Sequence, residues 1–62
     1  MNERNVIVNA LETLGLHMLA GDAKIQRDWN VLLRYVKIAN DVALKTKRED
    51  IIETLWAVGL VH

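Results

Sequence analysis

Few residues in this chain are of a type that performs chemistry. The two histidines are His17 and His62. A zinc site needs ligands gathered at helical or turn spacing, and neither Glu12 nor Thr13 gives His17 such a partner. His17 therefore reads as a partly buried histidine at the border of an apolar helix face, and His62, at the end of the sequence, as a mobile one. Glu49 and Glu53 stand four apart, a spacing that puts two carboxylates on one helix face for acid–base work or cation binding. Acidic groups also stabilise the first turn of a helix, and that simpler role is the one expected. Neither serine nor cysteine occurs, so the two commonest side-chain nucleophiles are missing. No catalytic residue, metal site or cofactor is expected, and the chain is not read as an enzyme.

The basic residues offer a second chemistry. Arg27, Arg34, Lys37, Lys45 and Arg48, with Lys47 beside them, would form a stripe able to meet phosphates if they shared one face. Asp41 interrupts that stripe, and Lys37-Asp41-Lys45 is also ordinary pairing at helical spacing. Neither Gly15 nor Gly21 is followed at the usual interval by the apolar anchor of a recognition helix, so a helix-turn-helix is not indicated. Eight basic and eight acidic residues cancel to a formal net charge of zero, which gives no bulk attraction to nucleic acid or anionic membrane. Nucleic-acid binding through this basic face is the second functional reading.

The elements that would position these groups are helices. Ile25, Trp29, Leu32, Val36, Ala39 and Ala43 step by four and three, a pattern that only a helix turns into one stripe. Ile7, Leu11, Leu14 and Met18 do the same earlier in the chain, with Gly15 inside that helix and Gly21 as its left-handed stop. Asp22 would cap the second helix, which would run antiparallel to the first; a later start, capped by Asp28 after a loop over residues 21–27, is the alternative. An unbroken helix beyond Lys45 would carry Ile52, Leu55 and Trp56 onto its charged side, so a break is required there. Thr46 and Glu49 have capping-box spacing and would open a third helix that Gly59 stops. The spacing thus predicts an all-α fold with helices over 3–20, 22–45 and 46–58: a helical hairpin plus a short C-terminal helix in one domain, residues 1–62.

Length argues for association. A chain of 62 residues buries roughly 6,000 Å², about 60% of it apolar, worth on the order of 90 kcal/mol, against a similar conformational cost. With no disulfide available and 52% hydrophobic residues, a symmetric dimer is the expected closure. Val31, Tyr35, Ile38 and Val42 make a second apolar stripe on the long helix, and with Ile52, Trp56 and Leu60 they are the expected interface. Trp29 is expected in the core and Trp56 at the contact. No apolar run approaches the ~20 residues of a membrane span, and a cysteine-free chain suits a reducing cytoplasm. The resulting expectation is a small cytoplasmic regulator or adaptor, a homodimeric helical bundle that binds a larger protein and no membrane.

Overall fold

The computed structural model describes residues 2–61 and consists of four α-helices, with no strand among those residues: α1 (Glu3–Thr13), α2 (His17–Ile25), α3 (Trp29–Lys45) and α4 (Glu49–Ala57). The all-α expectation holds, but the helices number four, not three. The additional break falls at Gly15, which adopts φ +80° and ends α1 instead of lying inside a longer helix. Its N–H donates to the Glu12 carbonyl at 3.0 Å and the Leu16 N–H donates to the Leu11 carbonyl at 2.8 Å, the paired bonds of a Schellman stop. Gly21, expected to be the stop, lies within α2. The following residue explains the difference. A Schellman turn is completed by an apolar contact between the residue after the glycine and the last helical turn, which Leu16 supplies and Asp22 does not. Gly59, at φ +77° and followed by Leu60, repeats the device at the end of α4.

Splitting the first helix resets its phase. Ile7 and Leu11 are fully buried, whereas Met18, placed on the same stripe by the sequence, is 91% exposed on α2. A second correction concerns the start of α3, which Asp28 caps by accepting from the Asn30 N–H at 2.9 Å, as the alternative start required. The expected loop over residues 21–27 is instead largely the second half of α2. Ile25 is the final residue of α2 and is exposed, and Trp29, the first of α3, is 43% exposed; neither belongs to the core. The remainder of the stripe, Leu32, Val36, Ala39 and Ala43, is buried as expected.

The capping box at Thr46 does not form. Thr46 ends α3, its hydroxyl donating back to the Val42 carbonyl at 2.8 Å, and Glu49 is already the first residue of α4. The reversal needs an intervening residue, Lys47, which takes φ +57° while the Arg48 N–H donates to the Ala43 carbonyl at 2.8 Å. A left-handed lysine is strained by its Cβ in a way glycine is not. Lys47→Gly is therefore expected to raise stability by about 0.5–1 kcal/mol in urea melts, while Gly15→Ala, at the same backbone conformation, lowers it by about 1 kcal/mol. A lower midpoint for Lys47→Gly would refute this account of the turn.

Ile7 and Leu11 of α1, Leu32 of α3 and Leu55 of α4 form the centre of the core. The buried residues of α2 are the small Ala20 and Ala23, with the half-buried Leu19 packed against the core beside them. The total accessible surface is 4280 Å², near the roughly 4,100 Å² expected of a compact chain of this mass. The core is thus closed within the single chain, and the apolar surplus lies on the outside. Arg4 ties the start of α1 to the end of α2: its Nη1 donates to the Ala23 carbonyl at 2.7 Å and to the Gln26 carbonyl, which a helix C-terminus otherwise leaves without partners.

Candidate interaction surface

With about 100° per residue, the buried stripe of α3 separates two apolar flanks, each turned roughly 90° from the core direction. One carries Val31, Tyr35, Ile38 and Val42, the other Trp29, Leu33 and Leu44 with Asn40 between them. The structure distributes the seven expected interface residues over both. Val31, Tyr35 and Val42 are half-buried on the first flank, and Ile38 is exposed there. Ile52 and Trp56 come from α4 to the second, where with Leu44 and Val61 they line a shallow groove of about 310 Å³. Leu60 is half-buried and packs back on the core beyond the Gly59 turn.

The first flank is already engaged within the chain. The Tyr35 hydroxyl donates to Asp22 Oδ2, and Gln26 Nε2 donates to the same oxygen at 3.0 Å. These two bonds, Tyr35 first, hold the Asp22 carboxyl below its ordinary value, while the bond to Asp22 and partial desolvation raise the Tyr35 phenol. The Asp22 contribution is complete above 3.8, its ordinary value, and is lost as pH falls through the depressed one; the Tyr35 contribution is complete below 10.0 and is lost as pH rises through the elevated one. The stability difference between wild type and Tyr35→Phe is therefore expected to be largest between those limits and to shrink in acid. Urea midpoints at about pH 3 and pH 7 measure it, and an unchanged difference would remove the bond from the account.

Among the described residues no side-chain hydrogen bond engages the second flank in this way. Trp56 is 65% exposed, Leu44 57% and Leu33 40%. Asn40 also lines this groove, and its Oδ1 is buried without a hydrogen-bond partner among the described residues, an arrangement that costs about 1–3 kcal/mol. The sequence pattern missed Leu33 and Leu44 because they flank charged positions. The phase of Trp29, Leu33 and Leu44 relative to Val36 was the signal that could have found them.

Other candidate residues are dispersed. His17 is exposed at the start of α2 and not half-buried as expected, and His62 lies outside the described residues. Glu49 and Glu53 are exposed on the first turns of α4. Among the described residues no group of three histidine, cysteine or acidic side chains gathers as metal ligands would. Arg34, Lys37 and Lys45 share the outer face of α3 with Asp41 among them, Arg27 lies in the connection between α2 and α3, and Arg48 is bonded to Asp50 through Nη2 at 3.0 Å. No described helix is long and apolar enough to cross a membrane.

Among the described residues, fold and surface together define a small all-α protein of four helices around one buried core, with an exposed apolar flank on α3 and α4. No protein-family model, curated protein or solved structure matches the chain.

Proposed function

We propose that this chain is a protein–protein interaction module, a small regulator or adaptor that acts as a homodimer through the flank carrying Trp29, Leu33, Leu44 and Trp56. One observation carries the reading: a protomer whose core is already closed still exposes these four large apolar side chains along α3 and α4. Covering each is worth about 1.5–3 kcal/mol, and the two tryptophans are of the residue type most enriched in contact hot spots. A second copy offers the same flank, and its named side chains carry no charge that a two-fold contact would set against itself. The face left outside such a dimer, including Met18 and Ile25 on α2, is then available to a larger partner. Light scattering on a sizing column tests the first step: twice 7.1 kDa, or 14.2 kDa, is expected at micromolar concentration, and a folded 7.1 kDa species would overturn it.

A further inference from the structure

We infer that the cleft between α1 and α4 is a binding groove for an extended, uncharged or basic peptide, held mainly by its backbone. The cleft encloses about 420 Å³, within the range of specific ligand sites. Its floor is apolar, made by Val6, Ala10 and Ile51, each 6% exposed. One wall is a polar row on α1, Asn5, Asn9 and Thr13, spaced four residues apart on a single helix face, with the N-cap Asn2 at its end. Asp50 and Thr54 of α4 form the other.

The hydrogen-bonding groups of these walls define the ligand. The carboxamides of Asn5 and Asn9 are exposed and bond to no described residue, so each presents a donor and an acceptor side by side, the complement of one residue's C=O and N–H. The two threonine hydroxyls already donate, Thr13 to the Asn9 carbonyl at 2.7 Å and Thr54 to the Asp50 carbonyl at 2.8 Å, which leaves their oxygens as acceptors for N–H groups. Asp50 is a carboxylate gripped by Arg48 from outside the cleft, and no lysine or arginine lines the cavity. The only charged side chain of the lining is thus a carboxylate, set among carboxamides that donate and accept, which disfavours phosphates and carboxylates and suits a chain of amides. Spacing narrows the choice further. Four residues of helix rise about 6.0 Å, and alternate residues of an extended strand repeat every ~6.6–6.8 Å on one side, so Asn5, Asn9 and Thr13 meet residues one, three and five of a strand within the reach of their own rotamers.

Selection of random heptapeptides on immobilised wild type, with the Asn5→Ala/Asn9→Ala double variant as counter-target, tests this. Both substitutions are at exposed helical positions and put a better helix former in place, so circular dichroism should show the fold retained. Enriched peptides, synthesised with capped ends, are expected to shift the amide resonances of Val6, Ala10, Ile51 and Thr54. Their affinity for the double variant should fall about tenfold or more. N-methylation of alternate peptide amides should weaken binding and methylation of the intervening ones should not. Equal affinity for the double variant, insensitivity to backbone methylation, or the absence of any peptide enriched over the counter-target would each overturn the assignment. Leu44→Glu, on the flank proposed for dimerisation, should bind these peptides as wild type does, which keeps this result separate from the oligomeric state.

Discussion

Val36→Glu is expected to leave no folded protein. Val36 is 3% exposed and belongs to one buried cluster with Ile7, Leu11, Leu32 and Leu55, so a glutamate there would be ionised without a partner or protonated without an acceptor. Either outcome costs several kcal/mol, and a 62-residue domain has only about 3–9 kcal/mol of stability in total. Circular dichroism should lose its helical minima with no cooperative melt remaining. A helical, cooperatively melting Val36→Glu would mean that the core lies on another face of α3.

Leu44→Glu is expected to do the opposite, keeping the helical spectrum while converting the proposed dimer to a monomer. The side chain is 57% exposed in the protomer, so the new charge stays in water when the subunits separate and is desolvated only when they meet. Loss of the leucine contact and burial of the charge act in the same direction, and dissociation at micromolar concentration is the expected readout in sedimentation. Ile38→Glu, on the opposite flank, is the comparison. If Ile38→Glu dissociates and Leu44→Glu remains dimeric, the contact lies on the flank that Val31, Tyr35 and Val42 share, and the proposed surface is wrong.

What was legible in the sequence follows from how local each signal is. The stripe Leu32-Val36-Ala39-Ala43 needed only helical periodicity within one continuous helix, and the structure buries it whole. The same periodicity failed at Ile25 and Met18 because it was carried across helix ends, where phase is not conserved. Those ends were legible in principle: glycine followed by leucine marks both Gly15 and Gly59, and an apolar residue after the turn is what distinguishes them from Gly21. Lys47 was not legible, since nothing in its side chain announces a left-handed backbone. The cleft between α1 and α4 was equally hidden. Asn5 and Asn9 carry no apolar signal, and Asp50 and Thr54 are brought beside them only by the tertiary fold.

The bond from Arg4 to the carbonyls of Ala23 and Gln26 bears on which residues act as one cooperative unit. α1 and α2 are joined at one end by the Leu14–Leu16 turn and fastened at the other by this guanidinium, so together they form a closed ring of local sequence. Closing so short a ring costs little chain entropy, since the guanidinium joins residues only 19 and 22 positions apart. Residues 3–26 are thereby expected to exchange their amide hydrogens as one cooperative unit, which native-state hydrogen exchange would read. α4, which carries Trp56 and one wall of the cleft, lies outside that ring. The other wall, Asn5, Asn9 and Thr13, belongs to α1, so the cleft exists only where α4 docks against that ring.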